Sequence, residues 1–224
     1  MPAIYDILKA VKRPGMDNGY AEKQLHKVPD FPVVENRRQW LIDRCKGKVV
    51  LDVGCSSGEL STKLYEAAEQ WYGIDTNPCN LPTAQVFDLD AVEFEIDQHW
   101  ERGDDRVIPK SLPFASMPIN TIVCGEILEH LTNPGWALQR FAATWPGAEL
   151  LITVPNAFSE SGRQWLVGKH TENVNREHTA WYSWWTLTQL CERSRYLVSE
   201  RFWYNGKPLV AEGLIFSCKT AEET

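Results

Sequence analysis

A short apolar run that ends in a glycine-bearing turn constrains the fold of this chain more than any other feature. The run Val49 to Val53 is typical of a buried parallel strand that leads into a helix. Gly54 and Gly58 allow the backbone to turn tightly and to approach a ligand closely, and a helix from about Ser57 would offer unpaired N–H groups to it. We therefore predict a strand, a ligand-binding turn and a helix.

A second apolar run, Trp71-Tyr-Gly-Ile-Asp75, ends in a carboxylate. Asp75 follows the glycine turn by about twenty residues, where nucleotide-binding folds place the acidic residue that binds a ribose diol. The spacing G-x-x-x-G differs from the G-x-G-x-x-G of dinucleotide enzymes, in which a pyrophosphate lies at the helix N-terminus. The two runs predict an adenosine-containing ligand and disfavour an NAD-dependent oxidoreductase.

The remainder of the core alternates strand-like and helix-like segments, as a doubly wound sheet requires. Strands are predicted at residues 48–53, 71–75, 92–97, 120–124 and 149–154. Helices are predicted at 57–69, 82–91, 134–144 and 183–194, the last capped by Ser183. Leu197 to Tyr204 and Gly213 to Lys219 predict a closing β-hairpin. The expected fold class is α/β, a doubly wound, mostly parallel seven-stranded sheet with a C-terminal antiparallel hairpin and helices on both faces.

Length and composition favour one sizeable domain with additions, since the chain has 224 residues and 43% hydrophobic content. Residues 1–45 contain two helix-like stretches, Ile4 to Val11 and Val33 to Cys45, and are predicted to form an N-terminal helical cap. Residues 46–219 form the predicted ligand-binding domain, and 220–224 a frayed tail. The aromatic-rich stretch 156–182 is predicted to be a loop that determines substrate choice.

The net charge indicates which classes of partner to expect, and the cysteines indicate the cellular compartment. A net charge of −7 makes nucleic acid an unlikely partner, although Arg37-Arg38 is a candidate basic patch, and a small-molecule substrate is the expectation. No run approaches the ~18 to 20 apolar residues of a membrane span, and the N-terminus lacks a leader pattern. The six cysteines are scattered without a C-x-x-C pair, which predicts reduced thiols in a cytoplasmic protein.

The block Leu51-Asp-Val-Gly-Cys-Ser-Ser-Gly58 resembles the first motif of Rossmann-like (class I) S-adenosyl-L-methionine (SAM) methyltransferases. That motif is usually D-x-G-x-G-x-G, and Ser56 replaces its middle glycine here. The resemblance implies that SAM is the cofactor, with Asp52, Gly54 and Gly58 near its methionine end and Asp75 on its ribose hydroxyls. Further cofactor-binding candidates are Cys55, Ser56, Cys124, Gly125 and, for the adenine amino group, Asp97, with Asp88 as its competitor.

A second motif follows the predicted strand at 120–124, in the string Glu126-Ile-Leu-Glu-His130. A glycine hinge and one helical turn would place Glu126, Glu129 and His130 together at the carboxyl end of the sheet, where ligands bind. The string resembles the E-x-L-E-H pattern of small-molecule methyltransferases, including the ubiquinone-biosynthesis O-methyltransferases. The chemistry is therefore expected beside this turn.

Three interpretations of this motif remain open. One is structural, with a glutamate capping a helix and His130 making a local hydrogen bond. The second is acid–base catalysis in which His130 takes a proton from the substrate, with Glu126 and His178 as further catalytic candidates. The third is a divalent-metal site, implied by a resemblance to small-RNA 3′-end ribose methyltransferases, with ligands Glu126, Glu129, His130 and His178.

The sequence thus predicts an enzyme, a SAM-dependent methyltransferase that acts on an oxygen or nitrogen of a small molecule. One alternative is a metal-assisted methyltransferase of RNA 3′ ends or catechol-like substrates. Another is a non-catalytic SAM-binding module, an interpretation that Ser56 at a glycine position keeps open.

Overall fold

A computed structural model of the chain describes residues 30–55, 59–75, 116–172 and 174–221, and the backbone of 90–93. Its strands are β1 (Val33–Val34), β2 (Val49–Val53), β3 (Gln70–Asp75), β4 (Asp90–Glu93), β5 (Thr121–Gly125), β6 (Glu149–Pro155), β7 (Tyr196–Tyr204) and β8 (Gly213–Thr220). Its helices are α1 (Arg37–Cys45), α2 (Glu59–Ala67), α3 (Pro134–Thr144), α4 (Glu160–Lys169) and α5 (Trp184–Arg193).

The strands form one mixed sheet in the order β1-β7-β8-β6-β5-β2-β3-β4. The five strands from β6 to β4 in this order are mutually parallel, whereas β8 runs antiparallel to both β6 and β7. The predicted mostly parallel sheet with its closing antiparallel hairpin is confirmed. The two-residue strand β1, which pairs with β7, adds an eighth strand to the seven predicted.

Helices cover both faces of the sheet, which explains why its central strands are largely apolar and almost entirely buried. Successive side chains of a strand point to opposite faces, and all five residues of β2 are buried. On one face, Leu51 belongs to a core that includes Phe141 of α3 and Leu187 of α5. On the other, Val50 belongs to a core that includes Leu41 of α1 and Leu64 of α2.

Local capping explains where several helices begin. Asn36 and Asn133 accept hydrogen bonds from the first turns of α1 and α3, and Pro134 occupies the first turn of α3, where its missing N–H costs nothing. Ser183 and Thr186 form a reciprocal capping box at the start of α5. The predicted bounds of α3 and the predicted Ser183 cap are therefore confirmed.

Three predictions of secondary structure were wrong. The stretch 156–182 contains α4, which sequence reasoning missed because the helix buries none of its residues and so has no apolar stripe. Val33–Val34 form a strand and not the start of a helix. Residues 90 and 91, predicted as helix, open the edge strand β4. The predicted helix at Ile4 to Val11 lies outside the described residues, and the domain boundary at residue 45 stays a prediction.

No helix in the described ranges is both long enough and apolar enough to cross a membrane.

A substitution in the closing hairpin tests how tightly it is packed. A Cβ added at Gly213 would lie 2.1 Å from the Tyr204 ring, so Gly213→Ala is expected to destabilise the fold by about 1–3 kcal/mol, the range for overpacking. The matched control is Gly168→Ala in α4, where nothing lies within 4 Å of the added Cβ. That change is expected to be neutral or stabilising. Urea unfolding measures both, and equal stabilities would contradict the prediction.

Candidate active site

The glycine turn joins the carboxyl ends of β2 and β3. Gly54 has a φ of +73°, which favours glycine. Its N–H donates to the carbonyl of Ile74 at 2.8 Å, and the N–H of Cys55 donates to the same oxygen at 3.2 Å. A Cβ added at Gly54 would lie 2.7 Å from Cδ1 of Ile127, so the turn packs closely against the segment that follows β5.

Asp52 stabilises this turn through a hydrogen bond with Ser61. Its carboxylate is 4% exposed and accepts a hydrogen bond of 2.5 Å from Ser61, which also reaches the carbonyl of Cys55 at 3.2 Å. Burial raises the pKa of Asp52 to about 6, although the Ser61 hydrogen bond acts in the opposite direction. The side chain therefore connects β2, the turn and α2, a role that the sequence did not reveal because Ser61 belongs to no motif.

The other predicted cofactor-binding residues divide into two groups. Asp75 ends β3 and is 8% exposed, while Cys124 and Gly125 end β5, so these three lie with the glycine turn at one edge of the sheet. Burial raises the pKa values of the Cys55 and Cys124 thiols, which makes both poor nucleophiles. The remaining predicted positions fall outside the described residues: Ser56, Gly58, Asp97 and its competitor Asp88.

Glu126 is held by partners that sequence reasoning did not identify. Its carboxylate forms an ion pair of 2.8 Å with Arg37 of α1 and accepts from the Tyr204 hydroxyl at 3.1 Å on each oxygen. Arg37 also donates to the Thr153 hydroxyl at 3.2 Å. Arg38, the other arginine of the candidate basic patch, forms an ion pair with Glu59. Both arginines are thus paired with carboxylates. The pairing partners lie far apart in the chain, so no local signal marks them.

The expected single helical turn across the E-x-L-E-H string was wrong. Glu126 has a left-handed φ of 56°, and residues 126–130 form an irregular turn in which the N–H of His130 donates to the carbonyl of Ile127. Because the backbone reverses at Glu126, its side chain is directed towards Arg37 and Tyr204. Glu126 does not belong to the cluster that the other three candidate ligands form.

Glu129, His130 and His178 form that cluster, with their potential ligand atoms all within 4.8 Å of one another. The two imidazole rings meet edge to face, with centroids 4.7 Å apart. Glu129 is 1% exposed, and its Oε2 has no hydrogen-bond partner among the described residues. Burial, reinforced by the charge of Glu126, raises the pKa of Glu129 to about 8. Burial and the neighbouring His130 lower the pKa of His178.

Thr179 brings His178 to this cluster. Its N–H donates to the carbonyl of Glu129 at 2.7 Å, and its hydroxyl donates to the carbonyl of Leu131 at 2.8 Å. The Tyr182 hydroxyl donates to the carbonyl of Leu128 at 3.2 Å. Side-chain bonds to backbone carbonyls have no sequence signature over a separation of about 50 residues, so both residues escaped prediction.

The cluster opens into a small cavity of about 190 Å³ whose lining includes Glu129, His178, Asn156 and Trp181. A buried carboxyl group beside two imidazoles can exchange protons, and the same donor set can bind a divalent cation. The glycine turn and this cluster occupy the same edge of the sheet, because both follow the carboxyl ends of parallel strands. In open α/β sheets ligands bind at this edge.

Comparison with known proteins places this architecture in a family. A family model of the methyltransferase domain matches residues 31–196. The ubiquinone biosynthesis O-methyltransferase of Pseudomonas entomophila (strain L48) is 26% identical over 137 residues, which are 60% of this chain and 54% of that protein. Its counterpart in Idiomarina loihiensis is 28% identical over 149 residues, 65% of this chain and 56% of that protein. The chain spans about half the length of the curated relatives it matches.

Solved structures share the fold at low sequence identity. A small RNA methyltransferase aligns with a TM-score of 0.63 and 15% identity over 84% of this chain and 25% of that chain. Magnesium protoporphyrin IX methyltransferase from Synechocystis PCC 6803, solved with bound SAH, aligns with a TM-score of 0.58 and 13% identity over 83% and 80% of the two chains. With the family match over most of its length, the chain belongs to the methyltransferase domain family and has the fold of class I SAM-dependent methyltransferases.

Proposed function

We propose that this protein transfers the methyl group of SAM to an oxygen or nitrogen atom of a small-molecule acceptor. The observation that carries the proposal is the convergence, at one edge of the sheet, of a left-handed glycine turn with the Glu129, His130 and His178 cluster. The turn suits a nucleoside cofactor, and the cluster can handle the proton that the acceptor loses. The family match supports this pairing.

The residues at the carboxyl edge fit SAM. Gly54 gives the turn its left-handed backbone against Ile127, Asp52 stabilises the turn through Ser61, and Asp75 offers a carboxylate to the ribose hydroxyls. Cys124 and Gly125 would form the opposite wall. When bound, SAM supplies a methyl group on a positively charged sulfonium. Ser56, Gly58 and Asp97 remain sequence-based candidates for the rest of the pocket.

The chain's own contribution to the reaction is positioning and proton transfer. Alignment of two reactants can supply a large part of the rate enhancement when the leaving group is already reactive. His178 is the candidate base because it lines the cavity, and its lowered pKa keeps the imidazole neutral and able to accept a proton near neutral pH. The ring of His130 contacts the His178 ring edge to face.

The relatives favour an oxygen acceptor, since those described above are named as O-methyltransferases of ubiquinone biosynthesis. A net charge of −7 disfavours nucleic acid as the partner. We also propose a cytoplasmic location, which the buried free thiols Cys45, Cys55, Cys124, Cys191 and Cys218 support.

A metal-assisted methyltransferase is the second candidate, because one specific observation favours it. Glu129, His130 and His178 provide one carboxylate and two imidazole nitrogens within 4.8 Å, a mixed set that suits a divalent ion. A cation there would lower the pKa of an acceptor hydroxyl. Glu126, the fourth predicted ligand, is engaged by Arg37 and Tyr204 and is not required in this arrangement.

Cofactor binding is the first test. Asp75→Asn is expected to weaken S-adenosylhomocysteine binding by at least about tenfold, because hydrogen bonds to a charged group contribute about 1.5–3 kcal/mol. Isothermal calorimetry measures the affinity, and Asp43→Asn on the exposed face of α1 serves as the matched control with unchanged affinity. A wild-type protein that binds neither SAM nor S-adenosylhomocysteine would falsify the proposed function. Binding without methyl transfer to any acceptor would favour a non-catalytic module.

The proton acceptor is tested by comparing two histidines. His178→Asn is expected to lower kcat for methyl transfer by about 10²-fold or more, the contribution of a general base. The activity of the wild type should rise with pH until His178 is neutral and then level off, and the variant should lose this rise. His170→Asn is the control, since this exposed residue at the end of α4 has a left-handed φ of 52° that asparagine tolerates. Equal rates in the two variants would exclude His178 as the base.

The metal candidate is tested through stability. The folded-state pKa of Glu129, about 8, exceeds its ordinary value of 4.5, so its stabilising contribution is complete below pH 4.5 and is lost as the pH rises to 8. Glu129→Gln should therefore gain stability relative to wild type between pH 5 and 8, by on the order of 2 kcal/mol.

A bound cation would reverse that result. Mn²⁺ should raise the Tm of the wild type at pH 8 but not that of Glu129→Gln, and EDTA should remove the effect. Methyl transfer that survives complete chelation would rule out an essential metal, whereas a Tm that responds equally in both proteins would place any ion elsewhere.

A further inference from the structure

A second, larger cavity of about 570 Å³ lies beside the candidate active site. Its walls are mainly apolar, and their aromatic side chains are Trp184 and Trp185 from α5, Trp203 from β7 and Phe158 from the segment before α4. The rings of Trp184 and Trp185 meet at 69° with centroids 5.3 Å apart. This volume falls within the range of small-molecule pockets, which are mostly apolar with few polar groups.

Apolar side chains at the rim of this cavity are exposed to an unusual degree. Phe158 is 60% exposed and Leu209 is 48% exposed, whereas Trp203 at the wall is only 2% exposed. The indole N–H of Trp203 has no hydrogen-bond partner within the described ranges. Covering such apolar surface contributes about 25 cal/mol per Å² to binding. The rim therefore favours a ligand with an apolar body.

One positively charged side chain lines this cavity. Arg163 of α4 is the only charged residue among the described ones that line it. The side chain is exposed and forms no ion pair with another residue in the part of the chain that the structure describes. A guanidinium presents a planar set of donors that matches a carboxylate. An apolar ligand with a negative group complements these walls better than a neutral or cationic one.

The cavity shares a wall with the smaller cavity beside the Glu129, His130 and His178 cluster. Asn156 lines both. Its Nδ2 donates to the carbonyls of Leu209 at 3.1 Å and Ala211 at 2.9 Å, and its Oδ1 accepts from the N–H of Phe158 at 3.1 Å. Helix α4 also borders both spaces. This wall is therefore well fixed, and the apolar cavity borders the smaller one that Glu129 and His178 line.

We propose that the acceptor of this enzyme is an apolar aromatic acid, whose ring system lies against Trp184, Trp185 and Phe158 and whose carboxylate pairs with Arg163. This inference rests on the proposed function, because it names the acceptor class for that reaction. The apolar walls bind the body of the molecule, and Arg163 sets its orientation, so that the hydroxyl to be methylated is directed towards His178.

The proposal is tested with a pair of fluorescent probes that differ in one charge. Anilinonaphthalene sulfonate carries an anionic group, and phenylnaphthylamine is its analogue without the sulfonate. Arg163→Gln is expected to weaken binding of the anionic probe by about fivefold and to change binding of the neutral probe by less than twofold. Phe158→Ser should weaken binding of both probes, because it removes apolar surface from the wall of the larger cavity. Arg193→Gln, an exposed arginine at the other end of α5, should change neither.

The acceptor class is tested by displacement of the anionic probe. Dihydroxybenzoate should displace it from the wild type at a lower concentration than catechol does, and this preference should disappear in Arg163→Gln. Thermal unfolding establishes that each variant is folded. An Arg163→Gln variant that binds both probes as the wild type does, or equal displacement by the two phenols, would overturn the proposal. Because no assay here requires SAM, a failure of the proposed function appears separately, as absence of S-adenosylhomocysteine binding.

Discussion

The geometry of the candidate active site depends on the contacts that the Glu126 carboxylate makes with Arg37 and Tyr204. These contacts join three segments distant in sequence: the first turn of α1, the turn after β5 and the end of β7. A non-glycine residue with left-handed backbone costs about 1 kcal/mol or more, and charge-assisted hydrogen bonds offset such a cost. The reversal at Glu126 directs Ile127 back onto Gly54 and leaves Glu129 and His130 on the side of His178.

The position of His178 follows from the need to satisfy backbone carbonyls. An irregular turn next to the core exposes carbonyl groups that helices and strands would have paired, and buried groups of this kind require partners. Thr179 and Tyr182 supply them for Leu128, Glu129 and Leu131. The loop that carries His178 is thus fixed by bonds to the very turn that carries His130, so the two imidazoles meet as a consequence of folding.

Local patterns account for what the sequence predicted well. The apolar runs of β2, β3, β5 and β6, the helical pattern of α3 and the Ser183 cap of α5 depend on neighbouring residues. These elements are confirmed within a residue or two. Helix α4 was not predicted because it buries no side chain. Strand β1 was not predicted because two residues are too few to show an alternation of apolar and polar side chains. The contacts of Glu126 were out of reach for a different reason, since Tyr204 lies 78 positions away and only the closed sheet brings them together.

Two glutamates three residues apart have opposite environments, and this difference organises the candidate site. Glu126 pairs with a guanidinium, while Glu129 is buried beside two imidazoles, with one carboxyl oxygen that has no partner in the described part of the chain. A buried carboxylate without a partner costs several kcal/mol, so this environment favours the uptake of either a proton or a cation by Glu129. A proton gives a neutral acid beside a basic histidine, and a cation gives a metal site built from the same three side chains. The acid–base and metal-assisted mechanisms that we propose therefore both remove the cost of a buried negative charge on Glu129, one with a proton and the other with a cation. The fold imposes this cost by burying Glu129.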